Sequence, residues 1–250
     1  MRPAKRCLTW LIVAVVYLAA WQIAAMLVGS ELLLPAPLAT LRRFITLLGQ
    51  ADSWLRAGMS LLRIVAGYAG GVLAGVLLAI LTARFRFADA LLLPLRSIVK
   101  ATPVTSFILL ALLWLRSSVV PAFISFLMVL PLVWTNVLTS IRETDKNLLE
   151  MARAYHFSRR QRLFHVYAPS VLPGFLASCT TALGFAWKAG VAAEILALPQ
   201  LSIGYALYMS KLHIETLDLF AWTLLIVILS MLLEAVLTRL IRRIPHDYGA

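Results

Sequence analysis

Apolar windows long enough to cross a bilayer recur along this 250-residue chain, at about residues 8–28, 64–83, 101–115, 117–141, 167–193 and 217–238. A spanning helix needs about 20 apolar residues, and in hydrocarbon it satisfies its own backbone groups. The windows therefore predict an all-α, polytopic membrane protein of about six transmembrane helices. The window at 101–115 is short and reaches full length only if extended back through Arg96 and Lys100. Composition agrees: 62% of residues are hydrophobic and 14% charged, outside the range of soluble domains. No soluble domain, linker or internal repeat interrupts the chain, so residues 1–250 read as one transmembrane domain.

The formal net charge of +12 has to be read through the membrane. Cytoplasmic loops carry an excess of Lys and Arg, and the basic clusters fall after alternate windows: Arg2, Lys5 and Arg6 at the start, then Arg84 and Arg86, Arg142 to Arg162, and Arg239 to Arg243. Both termini of this multi-pass protein are then cytoplasmic. No basic, aromatic-rich soluble face points to nucleic acid. The N-terminus imitates a signal peptide, but the uncharged run from Cys7 to Ser30 exceeds an ordinary signal core and predicts a retained first span. Cys7 and Cys179 sit beside a basic segment and inside an apolar one, and read as small packing residues. Arg42, Arg43 and Arg56 lie in the longest outer connection. There Leu41, Phe44, Leu47 and Leu48 recur at helical spacing, which predicts an amphipathic helix at the interface. Gly67, Gly71 and Gly75 make a small-xxx-small face suited to close helix packing.

The segment from Leu148 to Pro173, "LLEMARAYHFSRRQRLFHVYAPSVLP", has a different character. His156, Arg159, Arg160, Arg162 and His165 crowd into ten residues. Asp145 is a candidate N-cap for a helix through Tyr155, and "SRRQ" is a capping box that starts a second, with His156 and Phe157 as the turn. Two short helices on a tight turn make a rigid cytoplasmic knob. A plain positive-inside loop also accounts for the arginines, but not for the spacing of Glu150, Ala152, His156, Val166 and Pro169.

That spacing follows E-A-A-x-x-x-G-x9-I-x-L-P, and in it the chain resembles the permease subunits of bacterial ATP-binding-cassette importers. The longer stretch "LLEMARAYHFSRRQRLFHVYAPSVLPGFLASCTTALGFAWKAGVAAEIL" and the later "SIGYALY" are similar to the branch handling nitrate, sulfonate and taurine. The resemblance implies a coupling loop at about 144–168, with Glu150, Ala152, Arg153, His156, Arg160, Val166 and Pro169 docked on an ATP-hydrolysing subunit. It also implies two such cytoplasmic subunits, a second permease copy as a homodimer, an extracytoplasmic solute-binding protein, and no cofactor. Met151 and Ala168 depart from the pattern, and His156 stands where the family has glycine. Glycine there implies a positive φ, which His tolerates better than most residues.

Lys100, Lys188, Glu194 and Glu234 interrupt apolar windows, where ionisable groups tend to face a bundle interior or an aqueous path. Ser178, Thr181 and Lys188 fall near one helical face, with Gly184 beside them. The functional reading is a translocation path through Lys100, Ser178, Thr181, Lys188 and Glu194 that favours an anion. The alternative is that the lysines snorkel to an interface, Glu234 pairs locally and Glu194 is an interfacial charge beside Pro199. His165, His213 and His246 show no metal-ligand spacing and no catalytic set assembles. The chain also lacks a phosphate-binding GxxxxGK[ST] loop, so energy has to enter through another subunit. An ion-coupled secondary transporter, with Lys and Glu as coupling groups, is the rival from another class. It predicts internal symmetry, which the sequence does not display.

Overall fold

The computed structural model describes residues 3–243, with side chains from Ile12 onward. The basic cluster expected at Arg2, Lys5 and Arg6, Cys7, and His246 lie outside the described side chains. Eleven α-helices follow one another: α1 (Pro3–Val28), α2 (Pro37–Leu48), α3 (Ala51–Arg84), α4 (Arg86–Ala101), α5 (Val104–Trp114), α6 (Val120–Arg142), α7 (Lys146–Ala154), α8 (Arg159–Arg162), α9 (Ala168–Ala197), α10 (Ile203–Leu212) and α11 (Thr216–Arg242). A π-helical turn, Leu163–Tyr167, joins α8 to α9, making one uninterrupted helical run from Arg159 to Ala197.

Glycine sets the centre of the bundle. A Cβ on Gly67 would strike the Ala122 carbonyl oxygen, one on Gly71 would lie 2.7 Å from Val129 Cβ, and one on Gly75 would lie 3.0 Å from the Leu130 carbonyl. The face predicted from the glycine spacing is therefore where α3 and α6 meet, at a separation that no larger residue permits. Contacts advance together along both helices, so α3 and α6 run parallel. α9 packs antiparallel to them. Its Gly190 sits on Ile64 and Ser125 and its Gly174 on Ser140, and Ser125 Oγ donates to the Ala186 carbonyl at 3.0 Å. Around this trio Ile64, Val129, Val133, Trp134, Ala182 and Ala186 form the main core.

Because α3 and α6 are parallel, the chain between Arg84 and Val120 must return the length of the bundle. The third window does so as a broken span, which corrects the expectation of one continuous helix at 101–115. α4 and α5 meet at a 106° bend at Thr102–Pro103, where a proline bars the preceding residue from helical geometry. α4 climbs beside the C-terminal half of α6, with the Arg142 guanidinium on Asp89 at 2.7 Å and Arg96 stacked 5.3 Å over the Trp134 ring. α5 joins Ile124, Ala189 and Ala193 in a smaller second core.

Among the described residues four helical runs are long and apolar enough to cross a membrane, and the bent pair makes a fifth. α1 is the remaining candidate of the six, with an apolar described stretch at Ile12–Val28. The interfacial helix predicted at 41–48 is α2, with Phe44 and Leu47 buried. Arg43 ties it to α11 through a two-pronged bond to Asp218, one prong at 2.7 Å. Hydrogen bonding to Asp218 raises the Arg43 pKa above its ordinary value. On α11, Glu234 is exposed.

Candidate functional site

Within the loop at 144–168 the two helix starts and the turn between them form as the sequence specifies. Asp145 caps α7 by accepting from the Asn147 amide at 2.8 Å. Ser158 and Gln161 exchange the two bonds of a capping box. Between the helices His156 adopts φ 52°. The Phe157 amide then bonds the Ala152 carbonyl at 2.9 Å and the His156 amide the Arg153 carbonyl at 3.0 Å. This nested pair closes a helix C-terminus around a left-handed residue, so the positive φ inferred from the missing glycine is present with histidine in place. Ala152 and Val166 are buried and fix the knob to the base of α9. Glu150, Arg153 and Arg160 remain exposed, and Pro169 is half-buried. Arg160 lies over the Phe164 ring at 5.9 Å, and Phe157 meets His165 edge-on at 6.4 Å. The knob thus presents charge together with exposed Tyr155, Leu163 and Phe164, a mixed surface suited to a protein partner.

The polar stripe expected on α9 is divided. Thr181, Phe185 and Lys188 share an exposed face, and a Cβ on Gly184 beside them would meet open space. Ser178 instead turns into the core, 2% exposed, and donates to the Phe175 carbonyl at 2.7 Å. Ser178 lies about 60° round the helix from Thr181 and about 80° from Lys188, an offset compatible with either placement. Lys100 is exposed at the elbow between α4 and α5. Among the described residues no carboxylate lies within ion-pairing distance of Lys100 or Lys188.

Glu194 also leaves that face. It is 0% exposed and accepts on Oε2 from Ser60 Oγ at 2.8 Å and from the Gly204 amide at 3.2 Å. Ser60 Oγ in turn accepts from the Ile203 amide at 3.0 Å. The Arg63 Nη1 stands 3.7 Å from Glu194 Oε1 and donates to the Leu201 carbonyl at 2.7 Å. A Cβ on Gly204 would lie 2.7 Å from the Glu194 carbonyl carbon. The carboxylate is therefore the pin of the α9–α10 turn, joining α3, α9 and α10. Sequence reasoning missed Ser60, Arg63 and Gly204 as its partners. The available signals were an arginine at the edge of an apolar window and a glycine in "SIGYALY".

Residues 71–246 match the family model described as the binding-protein-dependent transport system inner membrane component, and the chain belongs to that family. Its members are transport subunits of the inner membrane rather than enzymes, which favours an importer permease over an ion-coupled carrier. Among relatives, SsuC of Bacillus subtilis strain 168, named as an aliphatic sulfonates transport permease, is 24% identical, covering 97% of this chain and 90% of that protein. The taurine transport system permease TauC of Escherichia coli K12 is 26% identical over 92% and 85%. The nitrate import permease NrtB of a Synechocystis strain is 25% identical over 72% and 69%. The fold is that of a chain in a structure of the MetNI methionine transporter in inward-facing conformations. That likeness has a TM-score of 0.58 at 18% identity and covers 77% of this chain and 94% of the other.

Proposed function

We propose that this chain is the permease subunit of an ATP-driven importer for a small anionic solute of the sulfonate, taurine or nitrate kind. In this reading two copies assemble around a central path. An extracytoplasmic binding protein delivers the solute, two cytoplasmic ATP-binding subunits hydrolyse ATP, and both termini face the cytoplasm. The single domain of residues 1–250 carries the coupling loop at its inner end.

The observation that carries this reading is the continuity of the loop with α9. The capped knob at His156 is stapled by Ala152 and Val166 to a helical run of 39 residues, Arg159–Ala197, about 58 Å long at 1.5 Å per residue. Closure of nucleotide-bound partners would displace the knob as a rigid body, and a packed helix transmits such a shift instead of absorbing it. The far end of the lever bears Lys188 and the turn pinned by Glu194. A displacement at the loop thus reaches the outer end of the bundle, where solute enters. Thr181, Lys188 and Lys100 are assigned to the path. Ser178 and Glu194 are assigned to packing.

A lysine that meets neither carboxylate nor water within the bilayer is costly. Lys188 on an open face accordingly suits a hydrated path with an anionic passenger. Reconstitution with the binding protein and ATP-binding subunits should give taurine or sulfonate uptake that requires ATP and persists without an ion gradient. Uptake that follows an ion gradient and ignores ATP would sink the proposal.

A further inference from the structure

A cleft of about 770 Å³ lies between the inner ends of α3, α6 and α9. Its walls are Ile80 and Ala83 from α3, Val137 and Ile141 from α6, and Leu172 and Phe175 from α9, and the π-helical turn closes one end with Leu163 and Tyr167. The charged group on its lining is Arg84, the last residue of α3, which is exposed. Among the described residues no carboxylate lies within ion-pairing distance of it, whereas neighbouring Arg142 is paired with Asp89.

We propose that this cleft binds an anionic phospholipid, with an acyl chain between the three helices and the phosphate on Arg84. Three observations select this occupant. The cleft is not the solute path, because Leu172 and Phe175 point about 120–180° round α9 from Thr181 and Lys188. Its walls are aliphatic and aromatic, so a hydrophilic solute would find few hydrogen-bond partners there. Apart from Ala83 and Ala168 they are also bulky, unlike the runs of small residues that admit another helix closely. An alkyl chain fits such a slot, and an unpaired guanidinium at its mouth complements an anionic headgroup. The cytoplasmic-leaflet placement rests on the orientation proposed above. The binding itself does not.

The test is native mass spectrometry of the delipidated full-length chain, titrated with phosphatidylglycerol and with phosphatidylethanolamine of the same acyl chains. It needs neither ATP-binding subunits nor transport, so its outcome is separable from that of the importer reading. The wild type should retain phosphatidylglycerol with a preference of about fivefold, the scale of one basic residue at a membrane surface. Arg84→Gln should erase the preference while still holding either lipid weakly, and Ala83→Phe, which fills the cleft, should reduce binding of both. Lys188→Met should leave retention unchanged. Equal retention of the two lipids by the wild type, or a preference that survives Arg84→Gln, overturns the site. So does efficient disulfide linkage of two copies through cysteine at Ile80, which would assign the cleft to protein.

Discussion

Lys188 and His156 are the two residues whose chemistry departs most from their surroundings. Lys188 sits on the open face of α9, beside Gly184 and Thr181, with no described carboxylate in reach. If its charge serves the passing anion, Lys188→Met should cut uptake by tenfold or more, on the scale of about 1.4 kcal/mol or above lost from an ionic contact. Lys188→Arg should keep part of the activity, and both variants should assemble normally. Neutral behaviour of the methionine variant would reduce Lys188 to a snorkelling side chain. His156 holds φ 52°, a conformation costing an L-residue about 1 kcal/mol. His156→Gly should therefore preserve uptake and slightly raise thermal stability, whereas His156→Val should lower both. A valine variant with undiminished coupling would mean that the turn does not need its left-handed residue. This position was readable because a missing glycine leaves a backbone requirement behind. Glu194 was not readable in the same way. Its identity as an intramembrane acid was plain, but its partners lie 134 and 10 residues away in sequence, and local periodicity carries no information about them.

At the scale of elements, the α3–α6 contact is the tightest joint and the most local in its code. Three glycines at four-residue spacing reveal a packing face before any partner is known. Gly71→Leu would drive a side chain into Val129 and the Phe126 carbonyl. It should lower the stability of the detergent-solubilised protein by about 1–3 kcal/mol, measurable as a fall in Tm, while Gly58→Leu, at a position with open space, should leave Tm unchanged. Equal losses for both would show that α3 and α6 are not held by this face. The knob at 144–168 was likewise legible, since caps and turns are written within four residues of where they act. The break at Thr102–Pro103 was only half legible. A proline marks an interruption, but the 106° bend is set by what α4 and α5 pack against, Trp134 on one side and Ile124 with Ala189 on the other. The π-helical turn after Arg162 left no signal in the residue pattern, which reads equally well as α-helix.

For the whole molecule, hydropathy carried most of the architecture, because a bilayer imposes element length directly, and the distribution of Lys and Arg supplies the proposed sidedness. Cysteine labelling from either side of the membrane should find positions 86, 160 and 242 accessible from the cytoplasm and position 52 from outside. Labelling of position 160 from outside would invert the scheme. The central claim is that the knob converts nucleotide-driven motion of partner subunits into solute movement along the α9 lever. Its most direct test is the amount of solute imported per ATP hydrolysed by the reconstituted complex, compared between the wild type and Glu150→Lys, which reverses an exposed charge on α7. The account predicts that the variant assembles and hydrolyses ATP but imports far less solute per ATP than the wild type. An unchanged ratio would contradict it, leaving the arginine-rich loop as a topological signal alone.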